Sequence, residues 1–475
     1  MKHSSDLNVV INYPMMENEK KLTFDNKIIL APMVRVGTLP MRLLALDYGA
    51  DIVYTEELID FKLLRSIRRV NDVLGTVDYI DQTDGTVVFR TCSREKNHVV
   101  LQLGTSDPER AAKVAQIVEQ DVSGIDLNMG CPKKFSLDGG MGAALMNDEQ
   151  KAKDILKSLV NGVKVPVTCK IRVFDDLEKT LKLCDTLASS GISAITVHGR
   201  TAYERPQHMN RHDTIRIIAQ RLSVPVIANG GSKDIGCYSH IEEFKTKTMA
   251  SSVMLARAAQ WNCSIFRKEG LLPIDAVIKS YLKYAIDYDN SPSNTKYCIQ
   301  NIIRELQDTP FGKEFLKAQT LEQICQLWNI DDYCRMKFQE FQEKGFHGRF
   351  QVTPLRHCGV ANDNNVKKNE NNMEDVIVMR CAFLRRRFSY DGDLPKTRLL
   401  KWLRETEKTN IVPIYHTWFE DKLFRSIVTV NNKSYSSSFW EKNKKRAEQG
   451  AALVCLCALG VIDEELLKKN GSLRK

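Results

Sequence analysis

Asp126-Leu-Asn-Met-Gly-Cys-Pro-Lys-Lys-Phe-Ser-Leu-Asp-Gly-Gly-Met-Gly142 is the stretch from which the fold can be read. An apolar run from Ile125 to Leu127 stops at polar and glycine positions, and Cys131 then sits between Gly130 and Pro132. Gly130 permits backbone angles that other residues resist, and Pro132 fixes its own torsion and lacks an amide hydrogen. Glycines 139, 140 and 142 follow, as pivots of the loop, before a helix-like segment from Asn147. The pattern is a strand end, a long shaped loop and a helix start. An isolated cysteine beside a turn is more often a small apolar filler than a working thiol, so a role for Cys131 has to come from the rest of the chain.

Outward from that stretch the same unit repeats. Short apolar runs at Ile28–Leu30, Ile52–Tyr54, Val99–Leu103, Gly124–Leu127, Val167–Ile171, Ala194–His198, Val226–Asn229 and Ser252–Leu255 alternate with helix-like segments such as Pro108–Glu119, Asp176–Ser189 and Thr214–Leu222. Near-continuous apolar strands are what a parallel sheet buried on both faces requires. Eight strand–helix units within residues 25–272 predict an α/β fold, a (β/α)8 TIM barrel, with a doubly wound sheet as the alternative. Val87–Thr91 predicts one extra strand in the second connection. The strand ends are polar or glycine-rich: Ala31-Pro32-Met33, Glu56-Glu57, Gln102-Leu103-Gly104, Asn128, Lys170-Ile171-Arg172, His198-Gly199-Arg200, Asn229-Gly230-Gly231 and Ala256-Arg257. In a barrel these ends converge on one mouth, where active sites lie.

The chain has 475 residues, too many for one compact core, with 43% hydrophobic and 27% charged residues. No apolar run is long enough to span a membrane, and residues 1–24 read as a polar, disordered leader rather than a targeting peptide. Thirteen scattered cysteines, an odd number with no Cys-x-x-Cys pair, suit reduced thiols in a cytoplasmic protein and predict no metal site. The net charge of +10 is concentrated: residues 376–475 carry 20 Lys/Arg against 11 Asp/Glu. A near-neutral large part with a basic end predicts an enzyme joined to a polyanion-binding module.

Residues 273–345 lose the alternation and predict a small helical domain, with helices over Ile274–Tyr284, Tyr297–Leu306, Gly312–Ala318 and Leu321–Ile330. Residues 346–375 are polar and predict a linker. The last segment reads as a helix over Leu394–Glu407, strands over Ile414–Phe419, Phe424–Val430 and Lys433–Trp440, and a helix over Glu441–Leu459. This predicts an α-β-β-β-α module with helices on one face of a three-stranded sheet.

Asn229-Gly230-Gly231 and Ala256-Arg257 follow the seventh and eighth strands, where barrels commonly bind phosphate. No G-x-G-x-x-G or P-loop pattern competes. A phosphate there, with Lys170 and His198 inside the mouth, suits flavin mononucleotide (FMN). Lys170 would hold positive charge near the ring's N1–C2=O edge. Gln102 has donors and acceptors for the pyrimidine edge, and Pro32 and Met33 supply backbone and thioether contacts.

The motifs Ala31-Pro-Met-Val-Arg-Val-Gly37, Leu101-Gln-Leu-Gly104, Asn128-Met-Gly-Cys-Pro-Lys133 with Gly140-Met-Gly-Ala-Ala144, Thr168-Cys-Lys-Ile-Arg172, His198-Gly-Arg200, Asn229-Gly-Gly231 and Leu255-Ala-Arg257 run in order through the barrel. On them the chain resembles the tRNA-dihydrouridine synthases, in the eukaryotic branch acting at position 20 of the D-loop. Residues 273–345 are similar to that family's helical tRNA-binding domain, and residues 376–475 resemble its appended double-stranded RNA-binding domain (dsRBD). The resemblance implies that NADPH reduces FMN, that flavin N5 delivers hydride to uracil C6, and that Cys131 protonates C5. It puts Pro32, Met33, Val34, Gln102, Lys170, His198, Asn229, Gly230, Gly231, Ala256 and Arg257 at FMN, and Asn128, Arg172 and Arg200 near the uracil. It implies a tRNA partner, met at the D-loop and an adjoining A-form helix, gripped by Lys444, Lys445 and Arg446 and by Arg385, Arg386 and Arg387. The loop Phe419-Glu-Asp-Lys-Leu-Phe424 departs from the family's Gly-Pro-x-His loop, which puts minor-groove reading there in doubt. Two rival readings are a flavin barrel oxidoreductase acting on free pyrimidines, and a catalytically idle RNA-binding protein.

Overall fold

The structure is a computed structural model and describes residues 22–82, 85–345, 376–383, 388, 393–406, 412–420, 423–441, 443–469 and 472–473. Most of the expected leader, the expected linker and Arg385–Arg387 lie outside these residues.

Eight parallel strands form the centre: β1 (Ile28–Leu30), β2 (Ile52–Tyr54), β3 (Val99–Gly104), β4 (Gly124–Met129), β5 (Val167–Arg172), β6 (Ala194–His198), β7 (Val226–Asn229) and β8 (Ser252–Leu255). Each pairs with the next, and β8 returns to β1 with Val253 opposite Ile28 and Leu255 opposite Leu30. The sheet closes, so the architecture is a TIM barrel and not a doubly wound sheet. Strands β3, β4 and β5 run past the end of their apolar runs, because the ladder continues through polar residues, with Asn128 opposite Lys170.

Side chains alternate across each strand. Ile29, Ile52, Tyr54, Val100, Ala194, Ile227 and Met254 form a closed apolar floor inside the barrel. Phe24 seals it from below at 1% exposure, and Ser252 donates a 2.5 Å hydrogen bond to the Phe24 carbonyl. The expected leader boundary is therefore corrected: residues 22–24 belong to the barrel. Outside it, helices α1 (Leu39–Asp47), α2 (Pro108–Val118), α3 (Glu149–Gly162), α4 (Leu177–Ala188), α5 (His212–Arg221) and α6 (Tyr238–Thr248) cover the strands. Asp107, Asp148 and Asp176 start α2, α3 and α4 by accepting hydrogen bonds from first-turn amides.

The second connection holds three antiparallel strands, Ser66–Asn71, Thr76–Asp81 and Val87–Cys92, where one was expected. The first is half solvated and rich in arginine, which hides its period. Arg68 anchors it through Asp121 at 2.7 Å. Arg42, at 2% exposure, forms a two-point ion pair with Glu95, at 0%, and also donates to the carbonyls of Gly37 and Arg90.

Helices α7 (Ile274–Asp287), α8 (Pro292–Ile303), α9 (Pro310–Lys317), α10 (Leu321–Gln326) and α11 (Asp331–Glu343) make the helical domain. Its apolar residues, Val277, Ile278, Tyr281 and Ile299 among them, belong to the same buried cluster as the barrel's outer layer. Arg35, after β1, stacks on Tyr297 at 4.2 Å, donates to the Ser293 carbonyl, and accepts from Asn294 at its own carbonyl.

The C-terminal module contains β9 (Val376–Met379), α12 (Pro395–Thr406), β10 (Ile414–Glu420), β11 (Leu423–Val430), β12 (Lys433–Ser437) and α13 (Lys444–Ala458). The expected three-stranded sheet is corrected to four strands in the order β9-β12-β11-β10, with β9 parallel to β12. Four residues are too short a run to show a period, and pairing with β12 is what makes them a strand. Leu399, Leu403, Val428, Tyr435 and Leu453 belong to a core separate from that of the barrel. Among the described residues no helix is long and apolar enough to cross a membrane.

Removing one partner of a buried pair leaves the other charge uncompensated. Glu95→Ala is expected to destabilise the barrel by about 3–5 kcal/mol in urea unfolding followed by fluorescence. A loss below about 1 kcal/mol, the range of an exposed pair, would show that the pair is not needed.

A polar barrel mouth as candidate active site

Above the apolar floor the barrel interior turns polar. Asp126 is 0% exposed and accepts hydrogen bonds from Gln102 Nε2 at 2.8 Å and Thr168 Oγ1 at 2.7 Å. Burial pushes its carboxyl up to about 6, against the opposing pull of these donors and of Lys170. Gln102 turns its carbonyl the other way and accepts from Asn128 Nδ2 at 2.9 Å. That leaves Asn128 Oδ1 to accept from the amides of Gly130 and Cys131, each at 3.0 Å. The donor and acceptor ends of both amides are thus fixed by one carboxylate, and the chain of bonds ends on the cysteine loop.

The loop is closed from other sides too. Ala143 donates to the Cys131 carbonyl at 3.0 Å, and Arg172 Nε donates to the Gly130 carbonyl at 2.8 Å. The other arm of Arg172 reaches the Thr201 carbonyl at 2.8 Å. Gly142 is not a free pivot. Its φ is +59°, and an added Cβ would overlap the Ser136 hydroxyl and lie 2.7 Å from the Cys131 carbonyl oxygen. The Cys131 side chain is half-buried and meets Glu57 and Ser136. Burial first, then the Glu57 charge, push its thiol up.

Asn128, Lys170, His198 and Asn229 occupy linked register positions: Asn128 opposite Lys170, Arg172 opposite His198, and His198 opposite Asn229. Burial, then Arg172, push the Lys170 ammonium down to about 8, so it is mostly charged at neutral pH. It makes no hydrogen bond or ion pair with a described residue. Burial and the cations Lys170, Arg172, Arg200 and Arg257 drive His198 well below the usual imidazole range. The ring is neutral, and Arg200 NH1 lies 3.2 Å from its Nε2. Because arginine can only donate, Nε2 is the bare nitrogen and Nδ1 carries the proton.

Asn229 Nδ2 donates to the Met254 carbonyl at 2.8 Å. Gly230 and Gly231 follow with φ of +109° and +64°. A Cβ on Gly230 would run into the Asn210 side-chain amide, whose two polar atoms are buried without a hydrogen-bond partner. His212 Nε2, beside Gly231, is also buried and unpartnered. Ala256 precedes Arg257, whose guanidinium is half-buried. Unspent donors, glycine backbone and cations on the last strands fit the phosphate of a mononucleotide. Unpartnered Lys170 fits an anionic ring edge. Pro32 and Met33 top β1, where the Met33 carbonyl accepts from Val36 and Gly37, and Val34 is exposed at 43%.

Lys444 and Lys445 are exposed on the first turn of α13, behind the Asn443 cap. Arg446 is committed elsewhere, to Glu441 at 2.8 Å and the Phe383 carbonyl at 3.2 Å. Arg385, Arg386 and Arg387 lie outside the described residues. The β10–β11 ladder runs to Glu420 opposite Leu423. Three contributors were not foreseen: Asp126, Asn210 and His212. An aspartate inside an otherwise apolar strand was a readable signal for the first; the other two stand in polar segments that mask them.

A family model described as Dihydrouridine synthase (Dus) matches residues 29–274. The Schizosaccharomyces pombe tRNA-dihydrouridine(20) synthase (NAD(P)+) is 40% identical over 314 residues, covering 62% of this chain and 65% of that protein. The match thus spans just under two thirds of that relative. The Saccharomyces cerevisiae protein of the same name is 35% identical over 321 residues, covering 64% of this chain and 83% of that protein. A crystal structure of a tRNA-dihydrouridine(20) synthase dsRBD domain is 44% identical, covers 19% of this chain and 94% of that one, and has a TM-score of 0.17.

A methyl group at position 142 would break the closed loop. Gly142→Ala is expected to cost about 1–3 kcal/mol locally and to speed amide hydrogen exchange across residues 131–147, with exchange in the barrel strands unchanged. Unaltered exchange in that stretch would mean that the glycine is dispensable.

Proposed function

This chain belongs to the dihydrouridine synthase family, and from that premise we propose that it is a flavin-dependent tRNA-dihydrouridine synthase, reducing the C5–C6 bond of a D-loop uridine at position 20. The observation that carries the reading is the Cys131 thiol on a closed loop, its backbone amide held by Asn128, at a barrel mouth that also contains Lys170 and His198. The relatives' names supply the tRNA substrate and the nicotinamide reductant.

Asn229, Gly230, Gly231, Ala256 and Arg257 would hold the FMN phosphate, with the unspent Asn210 and His212 donors beside them. Lys170, His198, Gln102, Pro32, Met33 and Val34 would hold the ring. When bound and reduced by NADPH, FMN supplies hydride to C6 of the uracil. Neutral His198 can donate from Nδ1 without adding a charge, and Lys170 stabilises negative charge. Asn128, Arg172 and Arg200 would line the uracil, although Arg172 already spends two donors on backbone carbonyls. Cys131 would protonate C5. A free thiol has a pKa of about 8.5, and burial and Glu57 raise this one, so it carries its proton at neutral pH.

The uridine must leave the folded tRNA to reach the mouth, at a cost of roughly a few kcal/mol. Contacts by the helical domain and the C-terminal module offset this. Lys444, which reaches Glu448 only at 4.0 Å, and Lys445 are the exposed phosphate-gripping pair, while Arg446 fixes the start of α13. Arg385 to Arg387 would extend that surface. A free-pyrimidine oxidoreductase would leave both accessory parts without work.

The test is dihydrouridine mapping in tRNA from cells lacking the protein, rescued with wild type or Cys131→Ala. Cys131→Ala is expected to keep flavin and NADPH oxidation and to lose base reduction by about 10²–10⁴-fold. Unchanged dihydrouridine at every D-loop site in the deletion would overturn the proposal. Lys444→Ala with Lys445→Ala is expected to weaken tRNA binding and to lower the slope of log affinity against log salt by about 1–2. An unchanged slope would remove the pair from the interface.

A further inference from the structure

Two loops at the barrel mouth turn their apolar side chains outward. In the loop after β6, residues 200–211, the charged side chains bond within the loop. The Glu204 carboxylate accepts the Thr201 amide at 2.7 Å and pairs with Arg211, and His208 Nδ1 accepts the Arg205 amide at 2.9 Å. Arg200 Nε donates to the His208 carbonyl at 2.9 Å, and Arg205 folds back on the Tyr203 carbonyl at 3.2 Å. The large apolar side chains are left in water: Tyr203 is 88% exposed and Met209 86%. The cysteine loop after β4 is built the same way. In its short helix, Lys134–Asp138, Ser136 is fully buried, while Phe135 and Leu137 are 52% and 42% exposed.

Arg172, at the end of the intervening strand β5, ties the two loops together. Its Nε donates to the Gly130 carbonyl of one and its NH1 to the Thr201 carbonyl of the other, each at 2.8 Å. Single exposed apolar residues are ordinary on a protein surface. Here four of them stand on two internally bonded loops that one arginine joins, beside the opening that holds Cys131.

We propose that Phe135 and Tyr203 are stacking platforms for the unpaired bases on either side of the uridine drawn into the mouth. The inference rests on the reading of the chain as a tRNA-dihydrouridine synthase. Extruding one nucleotide strips a stacking partner from each of its neighbours. A base face uncovered in this way is flat and apolar, and an aromatic ring covers it whatever the base. Phosphates travel with these bases. Lys133 and Lys134 are exposed immediately before Phe135, and neither makes an ion pair with a described residue. On the opposite loop Arg211 neutralises Glu204. Rings interleaved with unopposed positive charge suit single-stranded nucleic acid better than an apolar protein surface.

The experiment measures binding of full-length, flavin-loaded protein to an unmodified tRNA transcript and to a fully paired RNA duplex, over a range of salt. Phe135→Ala and Tyr203→Ala are each expected to weaken tRNA binding about tenfold. The slope of log affinity against log salt is expected to stay the same, because a ring neutralises no phosphate. Tyr203→Phe keeps the ring and is expected to bind as wild type does. Tyr203→Leu, apolar but without a ring, is expected to bind as Tyr203→Ala does. The duplex offers no unpaired base, and its affinity is expected to be the same for every variant. Wild-type tRNA affinity in either alanine variant overturns the inference. An equal loss on the duplex also overturns it, since the ring would then act without regard to unpaired bases. So does a change of oligomeric state in light scattering, which would make the rim an interface between copies of this chain. Wild-type protein that reduces no uridine in the transcript with NADPH present overturns instead the reading on which the inference rests, whatever the variants bind.

Discussion

Asp126 has no access to water, and a buried carboxylate has to be hydrogen-bonded. The way that requirement is met organises the barrel mouth. Gln102 must turn its NH2 to the carboxylate, its carbonyl must then face Asn128, and Asn128 has only its oxygen left for the loop amides. The backbone at Cys131 is therefore set by a charge buried on the same strand, through two amides that cannot flip without leaving groups unpaired. The loop is tied to the barrel wall at Gly130 and Cys131. This favours a site preorganised before its base arrives over one assembled by a swinging glycine hinge.

Electrostatics divide the mouth into two halves. Around β5 to β8 the cations Lys170, Arg172, Arg200 and Arg257 crowd a histidine that burial first, and then these charges, keep neutral. Past the ends of β2 and β4 the titratable groups are acidic, Glu57 and the Cys131 thiol. An electron-rich cofactor suits the first half, and a proton donor suits the second. A base lying between them would receive its two hydrogens from opposite sides of the same cavity.

The barrel was legible in the sequence because its strands are buried on both faces. Ile28–Leu30 and Val226–Asn229 read as unbroken apolar runs, and the structure keeps their bounds. Partly solvated strands hide themselves. Ser66–Asn71 carries arginines outward, and Val376–Met379 is too short to show a period. At the site, residues on strand ends were readable because topology gathers them. Glu57 was readable as a strand end, but its seat over Gly104 was not, because it depends on the pairing of Leu58 and Ile59 with β3, which no local pattern announces. Arg446 shows the converse. It stands within a basic cluster in the sequence, yet it serves the packing of its own module.

The shared apolar cluster of barrel and helical domain has a consequence for how the chain is made. Leu44 and Ala45 of α1 are buried in the same cluster as Val277, Ile278 and Tyr281 of α7, more than two hundred residues later in synthesis. A nascent barrel that has just completed β8 still shows a greasy flank to its surroundings. Until α7 to α11 leave the ribosome, that flank is open to aggregation or to a chaperone. The helical domain is thus the barrel's last wall, and a chain cut between them would release two sticky fragments where the intact protein has one.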